Sequence, residues 1–427
     1  MRKFLSILGA VLFTCCYLFG AGSCGGAGDG GVYGDYGGVY GEDAGGGEGG
    51  EEGAAGSDES VEIIKKPAGL LTAAAWNDND NYEMWKALFE QGQDSTKAEG
   101  KFYNYFTMDD STWGFTSYHR IKVSVTNDEA AVAGATVVGK DKEGNIVFEA
   151  ITNANGIAYL FTDTQEGIVE VSSAEAQETV AFDIDNRELA VELSEADAKR
   201  NVIELMFVVD VTGSMGDELT YLNNEIADVV DRVALADSET QINLALLFYR
   251  DHGDREEFKY HDFVDVTNSE GLAEQQRAIA AQEATGGGDY AEAVDEALEM
   301  AVEKQWSSGT STKLIFQILD APPHKEAENQ TTFRTAVLEA AKKGIRVCPV
   351  LCSGADLVTE YTMRQAAIYT GGTFVFITDD SGIGNAHHDP NLPNVTVEAL
   401  NSLMVRLING YHSGTFAEPI DWRQEVK

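Results

Sequence analysis

Residues 202–219 read VIELMFVVDVTGSMGDEL, an apolar run broken only by Glu204 that ends in an aspartate, two hydroxyl residues and two glycines. Val202 to Val209 shows no alternation of apolar and polar positions, as a strand buried on both faces requires. From Asp217 to Leu235 the apolar residues instead recur at three- and four-residue intervals, the period of a helix with one buried stripe. A buried strand that runs directly into an amphipathic helix is the repeating unit of a parallel sheet covered on both sides.

The unit repeats toward the C-terminus. Strands are expected at Ile242–Tyr249, near Phe258–Val266, and at Lys313–Leu319, Ile345–Leu351 and Thr373–Ile377, with helices over 269–283, 290–304, 331–343 and 396–409. Residues 200–412 therefore read as a doubly wound, mostly parallel α/β sheet, with 413–427 as a tail. Upstream the period changes to two. Ile121, Val123 and Val125 alternate with Lys122 and Ser124, and further short strands are separated by Glu143-Gly144-Asn145 and Asn153-Ala154-Asn155-Gly156. Short alternating strands joined by glycine and asparagine turns predict a small antiparallel β-sandwich over 118–196. Residues 61–117 read as a helix near Glu83–Gln91 and an irregular aromatic segment packing on the next module. The acids of the first long helix, Asp217, Glu218 and Glu225, read as favourable N-terminal charge and a solvated face.

The N-terminus carries an address. Arg2 and Lys3 precede an apolar run from Phe4 to Phe19 that would span about 24 Å as a helix, short of the roughly 30 Å hydrocarbon core of a bilayer. That pattern predicts an export signal over 1–24. Gly20 to Ser23 lead to Cys24 in a sequence that resembles a bacterial lipobox, with Cys24 as the lipidated residue. Residues 25–60 hold 16 glycines, nine acids and no base, a composition that reads as a flexible spacer. The expected location is the cell surface or envelope, lipid-anchored, or extracellular without the lipid. Over all 427 residues the net charge is −41, which excludes nucleic acid as a partner and leaves the lipid as the only membrane contact. Cys348 and Cys352, four residues apart on one expected strand, read as small buried hydrophobes.

Ligands of doubly wound sheets sit at the carboxyl ends of the strands. There the chain places Asp210, Thr212 and Ser214, then Thr285 and Asp289 in the turn ATGGGDYAEAV, then Asp320 in QILDAPPH. Carboxylates and hydroxyls are hard oxygen donors, suited to Mg²⁺, Mn²⁺ or Ca²⁺. Asp251, His252 and Asp254 in YRDHGD, and His387 and His388 in NAHHDP, read as loop residues.

DVTGSMGDEL, ALLFYRDHGD, TGGGDYAEAV and LDAPPH, in this order, resemble a bacterial von Willebrand factor type A domain over residues 200–412. Gly134-Ala135-Thr136-Val137 followed by Thr152-Asn153-Ala154-Asn155-Gly156 resembles a carboxypeptidase-regulatory, transthyretin-like module. The first resemblance implies a metal-ion-dependent adhesion site in which Asp210, Thr212 and Ser214 form the first loop and Asp320 the third. Gly288 stands where that family has its second-loop threonine, which leaves Asp289 as the replacement ligand and Thr285 as the alternative. It further implies Mg²⁺ (Mn²⁺ or Ca²⁺ being alternatives) with an open position for a carboxylate of a protein or peptide partner, or a glycan. The expected function is surface adhesion with no catalytic residue. A structural component of the envelope with a vestigial metal site is the alternative. A metal-dependent hydrolase fits less well, because a phosphotransfer loop needs an acid where Thr212 stands and no nucleophile elbow, zinc-protease or P-loop motif is present.

Overall fold

The computed structural model describes residues 69–90, 100–107, 113–194, 201–236, 239–308 and 310–425. The export signal, Cys24 and the spacer lie outside the described residues. The described chain opens with strand β1 (Thr72–Trp76) and the short helices α1 (Tyr82–Ala87) and α2 (Tyr103–Thr107). Eight strands follow: β2 (Arg120–Asn127), β3 (Ala130–Ala131), β4 (Thr136–Asp141), β5 (Ile146–Ile151), β6 (Ile157–Phe161), β7 (Glu166–Ser172), β8 (Gln177–Asp183) and β9 (Glu188–Glu192). They form two four-stranded sheets, one of β2, β3, β6 and β9 and one ordered β5-β4-β7-β8. Their inward residues, among them Ile121, Val123 and Leu189 from one sheet and Val137, Phe148 and Val169 from the other, share one apolar cluster. The expected antiparallel pattern has one exception, the parallel pair β2/β9.

Then come β10 (Val202–Asp210), α3 (Gly216–Ala236), β11 (Gln241–Tyr249), β12 (Phe258–Asp265), α4 (Ser269–Ala280), α5 (Val294–Glu303), β13 (Thr312–Leu319), α6 (Ala327–Lys343), β14 (Ile345–Leu351), α7 (Leu357–Thr370), β15 (Phe374–Ile377), β16 (Glu398–Ala399), α8 (Leu400–Ser413) and α9 (Trp422–Glu425). The main sheet has eight strands in the order β12-β11-β10-β13-β14-β15-β1-β16. Its centre, β11-β10-β13-β14-β15, is parallel, and antiparallel strands close both edges. Successive residues of β10 serve opposite faces, as a pleated strand demands. Leu205, Phe207 and Val209 pack with α3, α4 and α8. Met206 and Val208 pack with α5, α6, α7 and the core of the two smaller sheets.

Three elements depart from expectation. Over 61–117, where a helix and loops are expected, Thr72–Trp76 is a strand of the main sheet, paired with β15 and β16. Its alanines carry little β propensity. Helix α7 is unforeseen because every residue from Thr359 to Thr370 is buried, polar ones included, so it shows no apolar stripe. The Asp356–Thr359 capping box and left-handed Gly371 (φ 69°) delimit it. Two acids of α3, Glu218 and Glu225, do not belong to a solvated face. Glu225 accepts the backbone N–H groups of Gly69, Leu70 and Leu71 and so anchors the start of β1, and Glu218 is wholly buried. Cys348 and Cys352 are free and buried. Among the described residues no helix is long and apolar enough to cross a membrane.

Candidate metal centre

Parallel neighbours end at the same edge, and β10 and β13 are in register at Val209 and Ile318. Asp210, the last residue of β10, therefore lies near Asp320, the residue that follows β13. Asp210 is wholly buried and Asp320 is 3% exposed. The Thr212 N–H and hydroxyl both donate to Asp210 Oδ1, at 2.8 and 2.7 Å, and Thr212 Oγ1 lies 3.1 Å from Ser214 Oγ. Thr212 is buried, Ser214 exposed. Asp210 Oδ2 is buried with no hydrogen-bond partner. Burial and then the negative charge of Asp320 push the Asp210 carboxyl up to about 7. Tyr249, at the end of β11, is close enough to feel Asp210, Glu292 and Asp320, and its buried hydroxyl also lacks a partner.

The second loop is laced onto the first. Thr285 N–H donates to the Val211 carbonyl and Gly213 N–H to the Gly286 carbonyl, at 3.0 and 3.1 Å. Gly286 and Gly287 adopt φ of 85° and 82°. A Cβ on Gly287 would lie 3.0 Å from Glu292 Oε1 and 3.4 Å from Thr212 Cβ, so only a glycine backbone comes this close without displacing them. Thr285 and Asp289, the two candidates from sequence, are exposed on this loop. Glu292 is 3% exposed, and its Oε2 has no hydrogen-bond partner. Burial, then Asp210, Asp251, Asp320 and Asp254, push the Glu292 carboxyl up to about 9.

Sequence reasoning misses Glu292 because a helix is expected from 290. The helix begins at Val294, and Glu292 sits in the preceding loop, bridged to Pro323. The available signal is the pair Asp289 and Glu292, two acids three residues apart, of which packing buries the second.

The loop after β11 closes the flank. Asp254 Oδ2 accepts the Gly287 N–H at 2.7 Å, and Asp251 Oδ1 lies 2.8 Å from His324 Nε2. Arg250 opposes the charge of Asp210, yet its guanidinium donates to the carbonyls of Thr285, Glu256 and Glu283 rather than to a carboxylate. His387 and His388 diverge. His387 bridges Glu218 and Asp379, both at 2.7 Å, while His388 lies 2.6 Å from Glu360. The strand ends thus gather buried acids and a hydroxyl pair, and among the described residues no basic side chain bonds to Asp210 or Glu292. A partnerless carboxylate oxygen amid hard oxygen donors fits a hard divalent cation.

The family model described as von Willebrand factor A domain matches residues 204–373. Among solved structures, the chain is similar to von Willebrand factor type A from Catenulispora acidiphila, with TM-score 0.37 and 12% identity over 67% of this chain and 52% of that one. It thus spans about half the length of that structure. It is also similar to the conserved hypothetical protein BatB from Bacteroides thetaiotaomicron, with TM-score 0.32 and 16% identity over 41% of this chain and 89% of that one. A third similarity is to the pilus adhesin SpaC from Lactobacillus rhamnosus GG in its open conformation, with TM-score 0.35 and 10% identity over 65% of this chain and 34% of that one. No sequence among the curated proteins matches the chain significantly.

Proposed function

We propose that the von Willebrand factor A domain matched over residues 204–373 serves an exported, surface-tethered protein that binds a protein or peptide partner through a divalent cation. Asp210, Thr212, Ser214 and Asp320 would hold the ion, with Glu292 in place of the expected Asp289 or Thr285 as the second-loop acid. When bound, a hard cation such as Mg²⁺ supplies a positive charge that attracts a partner's carboxylate. The chain's own residues orient the donors. Thr212 fixes one oxygen of Asp210 and leaves the other facing no donor, and the glycines of the second loop keep bulk away from Thr212. No residue is assigned a catalytic role. The residues over 1–24 supply export, Cys24 the lipid anchor, and 25–60 the tether.

The observation that carries this reading is the wholly buried Asp210 with a partnerless oxygen beside a second buried acid. Such an arrangement costs several kcal/mol, of order 3–5, unless a cation completes it. Mg²⁺ at about 100 times its Kd is expected to stabilise the chelator-treated full chain by about 2.7 kcal/mol. Thermal unfolding measures this, and Asp210→Ala or Asp320→Ala should remove it. An unmutated chain that ignores Mg²⁺, Mn²⁺ and Ca²⁺ would refute the metal-dependent reading. Mass spectrometry of the mature N-terminus tests the anchor, and an unmodified first residue contradicts it.

A further inference from the structure

We infer that Asp251, His252 and His324 form a second cation site, for a borderline transition metal such as Zn²⁺, chemically distinct from the oxygen site at Asp210. One ligand atom from each of the three lies within 4.8 Å of the others. The residues arrive from two loops, one after β11 and one after Asp320. The imidazoles of His252 and His324 stack, with ring centroids 5.1 Å apart and planes at 28°. Two imidazoles and a carboxylate suit Zn²⁺ better than Mg²⁺, which takes oxygen almost alone.

The surroundings fit the same chemistry. A zinc-bound imidazole usually has its second ring nitrogen held by a carboxylate, which fixes tautomer and orientation. His252 Nδ1 lies 2.9 Å from Glu257 Oε1 and 4.0 Å from Glu296 Oε2, leaving Nε2 for the ion. Asp295 is 1% exposed, has a partnerless Oδ1 and is opposed in charge by His252. It thus places further buried negative charge close to the imidazole. Tetrahedral Zn²⁺ with bonds of about 2.0–2.1 Å separates its ligand atoms by about 3.3 Å. The 2.8 Å contact of Asp251 Oδ1 with His324 Nε2 therefore opens by only a few tenths of an ångström. Three protein ligands leave a fourth position for water. Asp251 is buried while His252 is exposed, so the ion has a path from solvent.

The site has a consequence for its neighbour. Asp251 Oδ2 would lie 3.9 Å from a Cβ on Gly288, and Asp254 on the same loop holds Gly287 N–H. Zinc at Asp251 therefore braces the loop that wraps Thr212 and carries Glu292.

The test uses the full chain stripped of metal and titrated with Zn²⁺ against a chromophoric chelator, in parallel with Co²⁺ read by its d–d absorption. The expected result is a site whose Zn²⁺ affinity falls at least tenfold in His252→Ala and in His324→Ala. Asp210→Ala should leave that affinity unchanged, and the double histidine variant should lose the intense tetrahedral Co²⁺ spectrum. Far-UV circular dichroism and a retained cooperative thermal transition establish that the histidine variants are folded. His252→Gln and His324→Gln replace any that are not. Three outcomes overturn the inference: no zinc binding by the unmutated chain, unchanged affinity in the double variant, or loss of zinc binding in Asp210→Ala alone.

Discussion

Glu360 and Asp210 are both wholly buried acids, but their surroundings differ in kind. Glu360, in the first turn of α7, receives Arg364 Nη1 at 2.9 Å, Lys101 Nζ at 2.5 Å and His388 Nε2 at 2.6 Å. Arg364 also grips Asp78, at 2.9 and 2.5 Å, so the network ties the segment after β1 to α7. Burial opposes ionisation of Glu360, yet the His388 hydrogen bond and the charges of Arg364 and Lys101 hold its carboxyl down at about 2. Asp210 has only the Thr212 donors on one oxygen, and its carboxyl is pushed up to about 7. The first region is electrically complete and holds elements together. The second, at the carboxyl edge of the sheet, keeps one carboxylate oxygen without a hydrogen-bond partner.

The largest effect should come from breaking the complete network. Arg364→Met strands two buried acids and is expected to cost about 3–5 kcal/mol in urea unfolding. Asp210→Asn in chelator removes a charge that repels Asp320 and should cost nothing. Equal losses in the two variants would erase the contrast.

An effect of similar size, on the order of 4 kcal/mol, is expected from pH. Asp210 and Glu292 have folded values raised above those of the unfolded chain, to about 7 and about 9. Their contribution is present in full below about pH 4 and is lost as pH rises through those values. Glu360 is lowered to about 2, so its contribution is present above about pH 4.5 and is lost only as pH falls through about 2. Chelated protein should therefore lose stability from pH 5 to 9, and Mg²⁺ should restore most at the alkaline end. Thermal melts across that range decide it, and a rising curve without metal would contradict the assignment.

The smallest effect should follow Gly286→Ala. Gly286 has φ 85°, and a Cβ there would sit 2.3 Å from Asp254 Oδ2. A cost of about 1–2 kcal/mol is expected from the left-handed backbone alone. A matching loss of Mg²⁺ affinity would show that the second loop shapes the oxygen site, and unchanged affinity would separate the two.

Particular residues explain what could be read beforehand. The strand Val202–Asp210 is legible because both its faces are buried and its apolar run is nearly unbroken. α7 escapes because Thr362, Arg364 and Gln365 are buried with their apolar neighbours, so its period vanishes. Glu218 and Glu225 mislead for the same reason. Their helical positions look exposed until the 379–390 loop and the start of β1 cover them. Asp289 and Glu292 differ by three positions, and nothing local tells which will be buried.

Periodicity and turn chemistry act over a few neighbouring residues. The strand and helix alternation, the Asp210–Thr212–Ser214 loop and Asp320 at a strand end were therefore determined by the sequence alone. Burial and charge balance depend on segments far apart in the chain, such as Asp251 against His324, 73 residues away. Tertiary structure alone decided that Glu292 joins the acids, that the two histidine pairs face different partners, and that Glu360 is neutralised while Asp210 is not.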